Sequence, residues 1–247
     1  MKSLNFFAVV LLLTPITTSA QSVDDIVQEY YKAVSDNGID DWKKIKTAYI
    51  EQTTRFVYPG SQSGPDLLPK KDNLHITWRE WPDKSVSKIY EDSVLNGTFY
   101  HVKGKHFYAL PGVPRQEIGS SPYEPYFEFE TVLVQHILAK AKSEFLGLTS
   151  IGTIRCYDIK ATTKQLTYHF YFNPDNHLLE YWSNTRPDGT DGPMHHVFNY
   201  AKIEGFLIPM SETNEQEGKQ FYWQSRKVVK LNVEIDPKMF DYDEKKK

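Results

Sequence analysis

Apolar residues recur at helical spacing twice along this chain and alternate at strand spacing through most of the rest. Val23, Ile26, Val27, Tyr30, Tyr31 and Val34 make one stripe at i, i+3, i+4, i+7, i+8 and i+11. Ser22 and Asp25 precede it at capping-box spacing, and Asn37-Gly38 ends it. The second stripe is Leu133, Ile137, Ala141 and Phe145, flanked by Val134 and Leu138 and closed by Gly147. These patterns predict an N-terminal helix and a mid-chain helix.

Between and after them lie strands. Segments 46–58, 74–81, 86–92, 98–102 and 106–110 read as the first series, with Lys103-Gly104-Lys105 as a hairpin turn. Loops rich in Gly, Ser and Pro interrupt them at 59–69 and from Pro111 to Pro125. Segments 153–161, 166–172, 178–183, 197–203 and 206–210 make the second series, with turns at Asn173-Pro174-Asp175-Asn176 and Glu204-Gly205. The last strand is the most regular. Phe221, Trp223, Ser225, Lys227, Val229, Leu231, Val233 and Ile235 share one face and should meet a core or cavity. Gln220, Tyr222, Gln224, Arg226, Val228, Lys230, Asn232 and Glu234 share the other, which should meet water.

The fold class expected is therefore α+β. It is a strongly curved antiparallel sheet of about nine to eleven strands, with two helices on one side. A sheet with one apolar face must cover it or close on itself. Two helices cover only part of such a sheet, so a half-open β-barrel with the helices as a lid over an apolar cavity is the solution anticipated. The aromatic content of 14% agrees, because aromatic side chains favour pleated, half-buried surfaces.

The chain opens like an export signal. Lys2 precedes the apolar run Phe6-Phe7-Ala8-Val9-Val10-Leu11-Leu12-Leu13, and Thr18-Ser19-Ala20 is a small-residue cleavage site. Residues 1–20 are read as a signal peptide cut after Ala20, 21–240 as one domain, and 241–247 as a charged tail. The cut removes one cation and no carboxylate, leaving Lys+Arg at 28 against Asp+Glu at 32. That balance gives no electrostatic case for nucleic acid. Cys156 is the one cysteine and sits in an alternating segment, which favours a buried structural thiol.

Three segments carry a resemblance. They are Tyr171-Phe172-Asn173-Pro174-Asp175-Asn176-His177-Leu178-Leu179, the hairpin Tyr200-Ala201-Lys202-Ile203-Glu204-Gly205-Phe206-Leu207-Ile208-Pro209, and Lys230-Leu231-Asn232-Val233-Glu234-Ile235-Asp236-Pro237-Lys238-Met239-Phe240. In order and spacing, with the exported start and the two helices, the chain resembles the periplasmic outer-membrane lipoprotein-sorting proteins (LolA-like) of the Bacteroidetes type. The resemblance implies a half-barrel with a helical lid and a cavity that accepts lipoprotein acyl chains. It implies no metal, no cofactor and no catalysis. It also implies an arginine on an early strand, after a proline, that holds the lid closed. Here Pro82 is followed by Asp83-Lys84-Ser85-Val86-Ser87-Lys88, with no arginine.

Such a site needs only apolar lining and a lid that opens, because each buried methylene of a lipid contributes about 0.8 kcal/mol. The candidate ligand-binding residues are Tyr168, Phe170, Phe172, Phe198, Tyr200, Phe221 and Trp223 on strands, with Leu133 and Ile137 on the lid. The same residues would serve equally to pack a dry core.

Catalytic patterns are missing from the sequence. His195 and His196 are neighbours on a strand and point to opposite faces, so they cannot chelate together. His101 and His106 flank a hairpin and can meet across it, without a third ligand in view. No nucleophile elbow or phosphate-cradling loop occurs. The function expected is a periplasmic, monomeric carrier for lipid or lipoprotein acyl chains, working with inner- and outer-membrane transfer proteins. The alternative is an envelope sensor or protein-interaction module on the same fold with a filled core.

Overall fold

The structure, a computed structural model, describes residues 21–56, 72–118, 129–216 and 218–241. The leader with its cut after Ala20, the 59–69 loop, Pro122, Pro125 and the tail from 242 onward lie outside the described residues.

Helix α1 (Val23–Val34) starts at the capping box read from the sequence: Ser22 Oγ accepts from the Asp25 backbone N–H, and the Asp25 carboxylate accepts from the Ser22 N–H. A short α2 (Ile39–Trp42) follows. The first strands are β1 (Thr47–Phe56), β2 (Asn73–Glu80), β3 (Lys84–Glu91), β4 (Val94–Val102), β5 (Lys105–Ala109) and β6 (Gln116–Glu117). Then come α3 (Glu130–Leu138), β7 (Lys142–Ile151), β8 (Ile154–Thr162), β9 (Thr167–Phe172), β10 (Leu179–Thr185), β11 (Met194–Ile203), β12 (Phe206–Gln216) and β13 (Lys219–Leu231). A 3-10 turn, Pro237–Phe240, closes the described chain.

Among the described residues thirteen strands, more than the nine to eleven expected, form one antiparallel sheet in the order β6-β5-β4-β3-β2-β1-β13-β12-β11-β10-β9-β8-β7. Each half of the chain is a meander, and the halves join where β1 pairs with β13. The edge strands β6 and β7 do not pair, so the sheet is open. Register shifts in five strand pairs, including β1–β13, β3–β4 and β7–β8, add bend and twist.

Two expectations are corrected. The mid-chain helix stops at Leu138, with the Ala139 and Ala141 N–H groups donating to Gln135 and Ile137 carbonyls. Phe145 belongs to β7. A spacing of four satisfies both the helical and the strand period, so Ala141 and Phe145 looked like a continued stripe. Gly147, at φ 109, sits at a register shift within β7 and is no helix cap.

The second correction concerns β13, which ends at Leu231 and changes faces midway. Glu51 pairs with Val228 but Gln52 pairs with Arg226, so Lys227 is an extra residue. Below this bulge Val229 and Leu231 face the helices. Above it Gln224 and Arg226 do, and both are buried rather than solvated. Trp223 is turned to the other face, where the Arg55 guanidinium lies 5.6 Å from its ring.

The main core lies between the helices and the β7–β13 half. Ile26, Tyr30 and Val34 of α1 pack with Leu133, Val134 and Ile137 of α3 against Phe170, Phe172, Leu179, Val197 and Ile208. Each fully buried side chain of this kind contributes roughly 1.5–3 kcal/mol. Val86, Phe107 and Phe240 are buried outside this cluster. Val86 and Phe107 both pair with Tyr100, on the face of the β2–β5 sheet turned away from the helices.

Candidate functional site beneath the helices

On the helix-facing side, β9 presents Tyr168, Phe170 and Phe172 in a row, as strand alternation requires. The Tyr30 ring packs on Phe172 at a centroid distance of 5.0 Å. Leu133 and Ile137 press down from α3. These five sequence-predicted residues are thus brought into one cluster, each at most 6% exposed. The Tyr30 hydroxyl, 2.8 Å from Thr131 Oγ1, ties α1 to α3, and burial pushes its ionisation far above the ordinary phenol range.

Tyr200 joins the same side. Its hydroxyl donates to the Leu179 carbonyl at 2.7 Å, and burial, with Tyr30 and Glu130 close by, raises its pKa well above the ordinary value. Phe198 does not join them. It stacks on His196, 4.8 Å away, on the opposite face. Strict alternation would put Phe198 and Tyr200 together. Asn199 breaks it by adopting φ 57, with its amide donating to Ser211 Oγ. Trp223 also lies on the opposite face, and the side chain of Phe221 lies outside the described residues.

The base of α3 carries polar chemistry that sequence reasoning placed in water. Arg226 donates to Glu130 Oε1 at 3.0 Å and also to the Pro209 carbonyl. Their side chains are 3% and 6% exposed, so the pair is sealed. Burial raises the Glu130 carboxyl above its ordinary value even with Arg226 beside it. The Arg226 guanidinium also lies 5.9 Å from the Phe129 ring, and Phe129 stacks on Trp81 at 5.9 Å. Arg79, buried on β2, lies 5.7 Å from the Trp81 ring on its own side. An arginine therefore does fasten the mid-chain helix to the sheet, but it comes from the last strand and not from the segment after Pro82. The signal that could have found it is the sequence conflict itself: Gln224 and Arg226 are followed by Val229 and Leu231 in opposite phase.

Next to this base the helix-facing side turns polar. Gln52, Thr54, Thr77, Arg79 and His101 are buried there on β1, β2 and β4. Thr54 Oγ1 lies 3.0 Å from His75 Nε2, and Thr77 donates to Ser87 at 2.9 Å. Burial lowers the pKa of both His75 and His101 to about 4, so both rings are neutral near pH 7. His101 meets His106 across the β4–β5 hairpin with rings 4.6 Å apart, as the sequence suggested. His195 and His196 point to opposite faces, again as expected: His195 Nδ1 is 2.6 Å from Glu212, whereas His196 stacks on Tyr181. Cys156 is buried, and that burial pushes its thiol up to about 11.

A half-open antiparallel sheet with helices across its apolar side is a recognisable fold class. Solved structures share this fold. A LolA superfamily protein from Nitrosomonas europaea superposes with a TM-score of 0.63 at 13% identity, covering 91% of this chain and 99% of that one. A DUF1329 family protein from Desulfovibrio piger gives 0.62 at 14% identity, covering 88% and 98%. A domain described as an outer membrane lipoprotein-sorting protein, from Vibrio parahaemolyticus, gives 0.55 at 10%, covering 79% and 89%. The fold is LolA-like. No protein-family model matches the sequence, and neither does any curated protein.

Proposed function

We propose that this protein is an exported periplasmic carrier that shelters acyl chains, those of outer-membrane lipoproteins foremost, without catalysing a reaction. The observation that carries the reading is the cluster under α1 and α3. Leu133, Ile137, Tyr168, Phe170 and Phe172 form an apolar bed whose cover is two helices rather than a second sheet. Helices joined to an open sheet can lift as a unit and expose that bed. An acyl chain entering there replaces the helix contacts, gaining about 0.8 kcal/mol per buried methylene. The Arg226–Glu130 pair holds the cover down, and the Tyr30–Thr131 bond joins its two helices. The solved structures with the same fold, one of them described as a lipoprotein-sorting domain, support the reading.

One observation favours a second reading, an envelope interaction module with a filled core: the bed is sealed, with Phe170, Phe172 and Ile137 at 0% exposure. Native mass spectrometry of the mature chain from a periplasmic extract, with lipid analysis of its organic extract, separates the two. Co-purified acylated cargo supports the carrier. A bare polypeptide that also refuses a fluorescent fatty-acyl probe overturns it and leaves the interaction module.

A further inference from the structure

The two edges of the open sheet are unequal. The β6 edge is two residues long, Gln116–Glu117, and Glu117 faces Lys105 at 3.8 Å. The β7 edge runs for ten residues, Lys142–Ile151, and among the described residues no backbone hydrogen bond from another segment reaches its outer flank. Leu146 and Leu148 are both 51% exposed on it. A long unpaired edge with exposed leucines is a template for another strand.

The outward backbone groups of that flank are out of step with a regular strand. The two-residue turn Gly152-Thr153 joins β7 to β8, so its closing pair Ile151↔Ile154 is hydrogen-bonded. Every second residue of β8, from Ile154 to Thr162, then turns to β7. Their partners are Ile151, Thr149 and Gly147, then Glu144 and Lys142, because β7 carries Leu146 as an extra residue. The N–H and C=O groups that point outward therefore belong to Ser143, Phe145, Leu148 and Ser150, spaced by two, three and two residues. A regular extended peptide repeats every two residues, so it can pair with only one half of this edge.

The pattern that matches both halves is the strand itself, read in reverse. Two antiparallel copies of β7, about a two-fold axis between Leu146 and Gly147, place Ser143 opposite Ser150 of the partner subunit and Phe145 opposite Leu148 of the partner subunit. The two slips then coincide at the axis. Leu146 lies against Gly147 of the partner subunit, where no side chain opposes it. The charges agree as well: Lys142 and Glu144 fall opposite Ile151 and Thr149 of the partner subunit, so no like charges meet.

We propose that a second copy of this chain docks on the β7 edge, giving a two-fold symmetric dimer whose two sheets run together. It stands against the monomer expected from the sequence. The contact is separate from the bed beneath the helices and does not depend on the carrier reading.

Sedimentation equilibrium on the mature chain should give twice the mass of one chain, falling on dilution. Leu148→Pro removes an outward N–H that β8 does not use, so it should keep the fold and weaken the dimer about tenfold or more. If that variant does not fold, Leu148→Lys, which puts a charge opposite Phe145 of the partner subunit, should do the same. The register has its own readout. The double variant Ser143→Cys with Ser150→Cys should form intermolecular disulfides under mild oxidation, while either substitution alone should not. A single-chain mass at every soluble concentration overturns the proposal. So does a dimer that the folded Leu148 variants leave unchanged, or one that the paired cysteines fail to link.

Discussion

The two meanders have the same topology and opposite faces. In the β7–β13 half, the side toward the helices is apolar and aromatic, and the far side carries the stacked Tyr181 and His196 rings. In the β1–β6 half, the side toward the helices holds Gln52, Thr54, His75, Thr77 and Arg79, and the buried apolar residues Val86 and Phe107 sit on the far side. The apolar face therefore crosses the sheet near the β1–β13 seam. The helices settle over one half because that half offers them apolar surface. A polar strip thus lies beside an apolar bed on the same side of the sheet.

The contrast can be broken most directly on its apolar side. Phe170→Ala should destabilise the fold by about 4 kcal/mol, through lost transfer energy and the cavity left behind. Urea unfolding followed by tryptophan fluorescence measures this. Next comes the seam, where Arg226→Ala should cost about 3 kcal/mol because it leaves Glu130 buried and uncompensated. The double variant Arg226→Met with Glu130→Met should recover much of that loss. A double variant as unstable as the single one would show that the guanidinium matters chiefly for its Pro209 carbonyl bond and not for the pair.

The polar side is sharpened by pH. His75 and His101 titrate near 4 in the folded protein and near 6.5 when unfolded. Between those values the unfolded chain binds more protons, so stability falls as pH drops from about 6.5 toward 4. Unfolding free energy measured across that window should fall toward pH 4, and His75→Gln with His101→Gln should flatten the profile. The smallest effect is expected far from the helices. Trp223→Ala, which loses its Arg55 contact at the surface, should cost about 1 kcal/mol. It should also leave acyl-probe binding unchanged, whereas Phe170→Ala should weaken it.

Much of this was legible in the sequence. The α1 stripe, its capping box, the strand series and the open antiparallel sheet follow from spacing, because each is a local preference repeated many times. The bed was legible too, in Leu133, Ile137, Tyr168, Phe170 and Phe172. What alternation misassigned was side. A single inserted residue, Lys227 on β13, reverses the phase of a strand, and Asn199, at φ 57, turns Tyr200 toward the helices without shifting the register of β11. Neither leaves a composition signal, so Trp223 and Phe198 were placed in the bed and Arg226 in water. The end of α3 was missed for the same kind of reason, since the position of Phe145 fits two periods at once.

The seam has a kinetic consequence. Ala48 pairs with Leu231, so β1 cannot find its second neighbour until nearly the whole chain has been made. Pairing across such a sequence separation carries a high loop-closure cost and is slow. The first meander must therefore wait with one flank of β1 exposed while the second is still being delivered. This interval is when the unpaired flank is most open to aggregation or to a chaperone.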